Sequence, residues 1–126
     1  MVAYNFQKRF APHIVSGRKR HTIRADRRRH ARPGEAIQLF IGMRTKGCAK
    51  IIADPICEAV KPIAILLHDN RINAIWIDDQ QLEQSECERL AFHDGFGNLE
   101  EMHSCFLEMH GSGLFEGVII CWQGAD

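Results

Sequence analysis

Short β-rich runs that follow one another without intervening helices constrain the fold most. Four such runs cover residues 36–41, 48–53, 56–67 and 72–77, and Gly, Pro or polar turns separate them. Parallel sheets of the βαβ type require a helix between successive strands. The order of these runs therefore argues against a doubly wound fold and favours a mixed or antiparallel sheet.

The N-terminal segment predicts a strand, a short helix and a second strand. Residues 3–6 are apolar enough for a strand, and an apolar residue then recurs every four positions over residues 7–16, as in a helix. Gly17 stands where a left-handed helix end is expected. Residues 18–25 predict a second strand, which is unusually polar.

Two more helices and a closing strand are predicted in the C-terminal half. Asp78 and Asp79 are suited to cap the first helix, which extends to about residue 91, and Asn98 begins the second in a capping-box-like pattern. Residues 115–122 form the closing strand. We therefore expect an α+β fold built on a small mixed or antiparallel β-barrel with two or three flanking helices.

Length and composition point to one ordinary domain spanning residues 1–126. Of the 126 residues, 45% are apolar and 25% charged, which is typical of globular proteins. The longest uncharged apolar run, residues 62–67, is far shorter than the roughly 18 residues of a membrane helix. The basic N-terminal residues have no apolar block typical of a secretory signal. Five cysteines without a CxxC pair indicate reduced thiols. We expect a cytoplasmic protein with no membrane partner, no metal and no cofactor.

The net charge of zero conceals a strong asymmetry along the chain. Residues 1–50 contain 13 of the 16 Lys and Arg but only two acids, a net charge of +11, and residues 51–126 carry −11. Such an asymmetry is typical of a protein with a basic surface for a polyanion. The alternative is that the two halves neutralise each other in the fold.

The densest group of charged and reactive side chains lies over residues 17–24, with the sequence GRKRHTIR. Four cations, a His and a Thr follow directly on a helix-ending Gly, and Arg and Lys neutralise phosphate charge in nucleic-acid complexes. The segment predicts a surface that binds a nucleic acid or a small substrate. The three arginines at 27–29 are equally explained as a solvated loop. The candidate binding residues are Arg18, Arg20, His21, Arg24, Arg27, Arg28 and Arg29.

This segment and several later ones resemble the ASCH domain of the PUA-like superfamily. The motifs that carry the resemblance are Gly17-Arg18-Lys19, Thr22-Ile23-Arg24, Pro33-Gly34-Glu35, Asp94-Gly95-Phe96 and Phe115-Glu116-Gly117-Val118-Ile119. They cover nearly the whole chain. The resemblance implies a PUA-like β-barrel with flanking helices, a cleft lined by the lysine strand, and binding of RNA or a modified nucleoside.

A more distant resemblance is to the small bacterial amidohydrolases that cleave N4-acetylcytidine to cytidine and acetate. Lys19 and Thr22 match the catalytic Lys and Thr of that branch, Arg24 matches the Arg that follows, and Asp94 is the nearest counterpart of its later carboxylate. The resemblance implies that Lys19, Thr22 and Asp94 are catalytic. Such chemistry is physically reasonable, since a Thr hydroxyl needs a base and a Lys of lowered pKa can supply one.

The lysine and the threonine meet only under one geometric condition. Residues three apart face opposite sides of a regular strand, so a bulge or turn must intervene if Lys19 and Thr22 line the same cleft. The identity of the carboxylate stays open at this point. Asp94 is the first choice because it precedes a helix in a loop, and Glu35 and Glu58 are the alternatives.

Three functions follow from these observations. The first is the binding of RNA or a modified nucleoside in a basic cleft. The second is an amidohydrolase acting on N4-acetylcytidine through Lys19 and Thr22, and the third is a ribonuclease with Lys19 and His21 as its acid and base. Binding ranks first because it requires only the charge and the fold.

Overall fold

A computed structural model describes residues 1–124 and contains eight strands and three α-helices. In chain order they are β1 (Val2–Phe6), a 3-10 turn (Lys8–Phe10), α1 (Ala11–Ser16), β2 (His21–Ala25), β3 (Ile37–Ile41), β4 (Ala49–Lys50), β5 (Cys57–Leu67), β6 (Ile72–Ile77), β7 (Gln80–Gln81), α2 (Gln84–His93), α3 (Leu99–His110) and β8 (Gly113–Trp122). The predicted α+β class is confirmed.

The strands form two sheets. In the smaller sheet, of order β1-β3-β4, β1 is parallel to β3 and β4 is antiparallel to it. The larger sheet, of order β2-β8-β5-β6-β7, is antiparallel throughout. Its centre is the long pair β5 and β8, which runs from Cys57 beside Trp122 to Leu67 beside Gly113.

The two sheets do not close into the predicted barrel. β1 and β2 are both edge strands, and no backbone ladder joins them within residues 1–124. Arginine side chains span this gap instead. Arg24 donates to the carbonyl of Asn5 at 2.7 Å, and Arg27 donates to that of Ala3 at 3.4 Å. Side-chain donors therefore satisfy carbonyls that a closed barrel would pair with backbone N–H groups.

The N-terminal elements follow the sequence closely. Apolar side chains alternate along β1, which buries Val2, Tyr4 and Phe6. The predicted helix over 7–16 is present as the 3-10 turn followed by α1. Gly17 ends it in the left-handed region with φ of +84°, as expected.

The start of α2 differs from the prediction. Asp78 and Asp79 both have positive φ and form the tight turn that joins β6 to β7, so neither caps a helix. The helix begins six residues later, where Glu83 and Glu86 form a reciprocal capping box. The predicted cap of α3 is confirmed, because the side chain of Asn98 accepts a hydrogen bond from the Glu101 N–H at 2.9 Å.

Both sheets and all three helices contribute to the hydrophobic core. The fully buried side chains include Tyr4 and Ile37 of the smaller sheet, Ile65 and Ile120 of the larger sheet, and Met102 of α3. Residues of α3 and of the connection after α2 line a cavity together with residues of β1 and β2, and the candidate site lies there. Among residues 1–124, no helix is both long enough and apolar enough to span a membrane.

Candidate functional site

An irregular segment between α1 and β2 carries Lys19 into the interior. The left-handed Gly17 reverses the chain, and the Lys19 N–H then donates to the His13 carbonyl at 2.9 Å. Regular strand alternation begins only at His21. Lys19 and Thr22 therefore line the same cavity although they are three residues apart, which meets the geometric condition inferred from the sequence.

The cavity that receives Lys19 lies between the ends of β1 and β2 and the two C-terminal helices. We call it the aromatic cavity, and its volume is about 210 Å³. Its apolar wall includes four phenylalanines, one each from β1, the 3-10 turn, the α2–α3 connection and α3. Its lining includes Phe6, Phe10, Phe96, Phe106, Asn5, Gln7, Lys19, Thr22, Arg24, Asp94 and Cys105.

A buried ionic group closes the inner end of this cavity. Lys19 Nζ donates to both the side-chain Oδ1 and the backbone carbonyl of Asp94, each at 2.7 Å. His21 Nε2 lies 3.2 Å from the same Oδ1, without the alignment of a hydrogen bond. Lys19 is 3% exposed and Asp94 4%. Charges this deeply buried require their partners, so Lys19 and Asp94 hold each other in place.

The surroundings shift the pKa values of this pair. Burial lowers the pKa of Lys19, and the Asp94 carboxylate opposes only part of that shift. Burial alone would raise the pKa of Asp94, but the Lys19 ammonium and the neighbouring His21 hold it below its ordinary value. Asp94 is therefore ionised at neutral pH, and Lys19 releases its proton more readily than an exposed lysine.

Thr22 and Arg24 share one face of β2 and interact with each other. Arg24 Nε donates to Thr22 Oγ1 at 3.0 Å, so the hydroxyl keeps its own proton for another acceptor. The guanidinium carbon lies 4.9 Å from the centroid of the Phe6 ring, a cation–π distance. Burial and the nearby Arg27 lower the pKa of Arg24. Within residues 1–124, no hydrogen bond joins Thr22 directly to Lys19.

A second cavity lies beside the same segment and has a different chemistry. We call it the arginine cavity. Its volume is about 630 Å³, and its polar lining consists of Arg18, Arg20, His21, Glu86, Arg89 and His93. His21 lines this cavity and also contacts Asp94, which lines the aromatic cavity. The buried ionic group therefore lies between the two cavities.

The predicted binding residues are divided among several places. Arg24 lines the aromatic cavity, whereas Arg18, Arg20 and His21 line the arginine cavity. The arginines at 27–29 lie in the exposed loop after β2. Arg27 packs over the Tyr4 ring with its guanidinium carbon 4.7 Å from the centroid, and Arg29 forms an ion pair with Glu35.

Of the three carboxylates that the sequence left open, Asp94 is the one that lines the aromatic cavity. Glu35 is paired with Arg29 in the turn before β3, and Glu58 lies at the start of β5. Asp94 is the C-terminal cap of α2, and Gly95 follows it with φ of +105°. This turn brings the carboxylate to Lys19 across 75 residues of sequence.

The sequence alone did not identify several side chains of the two cavities. Asn5 and Gln7 lie at the end of β1 and line the aromatic cavity, and Arg89 and His93 of α2 line the arginine cavity. The last two are four residues apart, so they share one helix face. That spacing would have been a signal once the helix boundaries were known.

Comparison of the chain with protein-family models, with curated proteins and with solved structures gives no match. The site must therefore be interpreted from its own geometry. Within residues 1–124, no three His, Cys, Asp or Glu side chains are grouped in a way that would hold a metal ion.

Proposed function

We propose that the protein binds a modified nucleoside, either free or within RNA, with its base in the aromatic cavity. The observation that carries this proposal is the convergence of Lys19, Thr22, Arg24 and Asp94 on one cavity walled by phenylalanine rings. The resemblance to the ASCH domain and its PUA-like fold supports the same function. The five free thiols favour a cytoplasmic location.

The aromatic wall suits a flat ring. Phe10 and Phe96 meet edge to face with their ring centroids 5.4 Å apart, and Phe96 and Phe106 do so at 6.4 Å. Stacking of a base on an aromatic side chain contributes about 1–3 kcal/mol in single-strand binding proteins. The wall therefore supplies affinity for a base without selecting which base it is.

The polar side chains supply the selectivity. Arg24 and Lys19 are donors for carbonyl oxygens, and the Asp94 carboxylate and the Thr22 hydroxyl are acceptors for amino groups. Because Lys19, Thr22 and Asp94 are buried, a ligand whose polar groups do not match their remaining donors and acceptors is disfavoured. A base with a matching pattern of donors and acceptors is preferred.

The size of the cavity limits the ligand. Pockets that enclose a whole drug-sized ligand measure about 300–1,000 Å³, and the aromatic cavity measures about 210 Å³. It therefore accommodates a single base with a small substituent. An RNA ligand must present that base unstacked, as proteins that read single-stranded RNA require.

Hydrolysis of N4-acetylcytidine is the second candidate, and the lowered pKa of the buried Lys19 favours it. In that reaction neutral Lys19 accepts the Thr22 proton while Oγ1 attacks the acetyl carbon, and Arg24 stabilises the oxyanion. The C–N bond then breaks, cytidine leaves with the proton held by Lys19, and water releases acetate from Thr22. A ribonuclease gains less support, because Lys19 and His21 line different cavities.

One experiment separates these functions. Purified protein is incubated with N4-acetylcytidine and, in parallel, with a short RNA. Binding is measured by calorimetry and products by chromatography. A nucleoside-binding protein binds N4-acetylcytidine and leaves it intact, an amidohydrolase releases cytidine and acetate, and a ribonuclease shortens the RNA. The absence of both binding and turnover for all ligands refutes the proposal.

Substitutions of Lys19 distinguish binding from catalysis. If the cavity only binds, Lys19→Arg retains most of the affinity and Lys19→Ala loses it, because the charge is what matters. If Lys19 is the base, Lys19→Ala abolishes turnover and reduces binding much less. The exposed Lys8→Ala is the matched control, and both activities should be unchanged in it.

A further inference from the structure

The arginine cavity plays no part in the proposed function, and its charges are unbalanced. Three guanidinium groups line it, from Arg18, Arg20 and Arg89, with Glu86 as the single carboxylate. Glu86 is already engaged in the capping box of α2, where its Oε1 accepts from the Glu83 N–H at 2.9 Å. Within residues 1–124, no ion pair joins it to any of the three arginines.

Two of the three arginines, Arg20 and Arg89, have hydrogen-bond donors that no residue of 1–124 uses. Arg20 uses its Nε for the Gly17 carbonyl at 3.1 Å and keeps its two terminal nitrogens free of protein acceptors in the described part of the chain. Arg89 makes no hydrogen bond to residues 1–124, and both side chains are exposed. Each therefore has guanidinium N–H groups that can donate two parallel hydrogen bonds to a ligand.

The other members of the cavity fix its shape and add charge. Arg18 donates to the carbonyls of Phe92 and Phe96, so part of its guanidinium is already engaged while its positive charge remains at the cavity. The Nδ1 of His93 lies 3.1 Å from the Arg18 carbonyl, which leaves its Nε2 for another partner. Arg89 and His93 are four residues apart on α2, so they lie one above the other on the same face.

We infer that the arginine cavity binds a phosphate group, held between Arg20 of the segment before β2 and Arg89 of α2. The planar guanidinium matches two phosphate oxygens at once, which makes arginine suited to this anion. Two arginines from different elements face this cavity, and within residues 1–124 neither forms an ion pair with a carboxylate, so together they constitute such a site. An anion there also relieves the mutual repulsion of the three cations.

This site is independent of the aromatic cavity. In the described part of the chain no residue lines both cavities, so occupation of one does not require occupation of the other. The inference therefore does not rest on the proposed nucleoside binding. The phosphate belongs either to a small phosphorylated molecule or to the backbone of a nucleic-acid strand, and the chemistry of recognition is the same for both.

Calorimetry with two probes tests the inference and identifies the source of the phosphate. Inorganic phosphate represents the small ligand, and an abasic single-stranded oligonucleotide represents a backbone without bases. The variant is the double substitution Arg20→Ala with Arg89→Ala. The matched control is the exposed Arg71→Ala, which removes a positive charge elsewhere.

We expect at least one probe to bind the wild type and the double variant to lose at least about tenfold in affinity, while Arg71→Ala retains it. With the oligonucleotide, the slope of log affinity against log salt should become shallower by about 0.7, since the site holds one phosphate and each phosphate contacted on a single strand contributes about 0.7. A double variant with Lys in place of both arginines should recover part of the affinity. Binding of neither probe, or an equal loss in Arg71→Ala, overturns the inference.

Discussion

The most informative residues are the three that form the buried ionic group. Lys19 and Asp94 are held within 2.7 Å of each other with almost no solvent, and His21 touches the same carboxylate oxygen. Removing one partner of a buried ion pair leaves an uncompensated charge and lowers the free energy of unfolding by about 3–5 kcal/mol. The same residues that define the site therefore also control a large share of the stability.

The pH dependence of stability tests this directly. Because the folded pKa of Asp94 is below its ordinary value, its contribution is fully present above the unfolded pKa of about 3.9 and is lost as the pH falls through the lower folded pKa. Urea unfolding should find Asp94→Asn less stable than the wild type by about 3–5 kcal/mol at pH 7. This difference should begin to shrink below about pH 3.9 and should vanish only as the pH falls through the lower folded pKa of Asp94, where the carboxyl group becomes neutral.

The control for that series is Asp54→Asn, which removes the partly exposed pair with Lys50. Surface pairs contribute about 0–1 kcal/mol, so the loss there should stay small at every pH. A difference between wild type and Asp94→Asn that does not change with pH would contradict the ionic role of Asp94.

Gly95 makes the turn that brings Asp94 to Lys19. Its φ is +105°, and a Cβ there would lie 2.5 Å from Cδ1 of Phe10. We expect Gly95→Ala to be less stable than Gly34→Ala by about 1–3 kcal/mol, the usual cost of overpacking. Gly34 is the matched control because it also has positive φ, +88°, but open space around it. Equal thermal and urea stability in the two variants would disprove the close contact with Phe10.

Among the elements, α2 is held in place mainly at its C-terminal end. Arg18 Nε donates to the Phe92 carbonyl at 2.9 Å, a second nitrogen donates to the Phe96 carbonyl, and the guanidinium stacks 3.8 Å from the centroid of the Phe92 ring. These contacts satisfy carbonyls at the helix end, where cations are favourable. Asp94 directly follows the last residue of α2, His93, so Arg18 positions the carboxylate of the site by holding this helix end.

Replacing Arg18 with Lys keeps the positive charge but removes the planar guanidinium, whose two nitrogens donate to two different carbonyls. Hydrogen bonds to charged groups contribute about 1.5–3 kcal/mol, so Arg18→Lys should lower the free energy of unfolding by about 1–3 kcal/mol. Amide hydrogen exchange should accelerate over residues 90–96. The exposed Arg20→Lys should change stability by less than about 0.5 kcal/mol. If both variants unfold at the same urea concentration, Arg18 does not hold the helix end.

At the scale of the whole molecule, direct ion pairing does not neutralise the two oppositely charged halves of the chain. In the described part of the chain, the acid–base contacts between residues 1–50 and the remainder are the Lys19–Asp94–His21 group and the local pair Lys50–Asp54. Most arginines of the basic half therefore keep their charge available to a polyanion.

Salt should weaken RNA binding as a result. For a single strand, log affinity should fall against log salt by about 0.7 per phosphate contacted. The double variant Arg27→Gln with Arg28→Gln should have a slope shallower by about 1.4 if both arginines touch phosphates. A free nucleoside, which has no phosphate, is the control, and its affinity should change little with salt. RNA affinity that is independent of salt would rule out the basic half as the binding surface.

Features that depend on neighbours along the chain were predictable from the sequence. The β-rich runs, the glycine end of the first helix and the Asn98 cap each arise from a few adjacent residues, and the structure contains them, although the run over residues 48–53 is reduced to the two-residue strand β4. The charge asymmetry between the two halves of the chain and the motif around Lys19, residues 17–24, were also visible in the sequence. The prediction that Asp78 and Asp79 cap a helix was wrong because aspartate suits both helix caps and tight turns. The antiparallel pairing of β6 with β7 selects the turn.

The tertiary structure alone decided which side chains meet. Lys19 and Asp94 are 75 residues apart, and the position of the C-terminal end of α2 beside the start of β2 brings them together. The same packing committed Arg18 to a helix end and left the two terminal nitrogens of Arg20 without a protein acceptor in residues 1–124, although the two arginines are nearly adjacent in sequence. Local periodicity specifies which face of an element is apolar, but a cavity is the space left between distant elements. Its lining therefore depends on how those elements pack, which no short stretch of sequence determines.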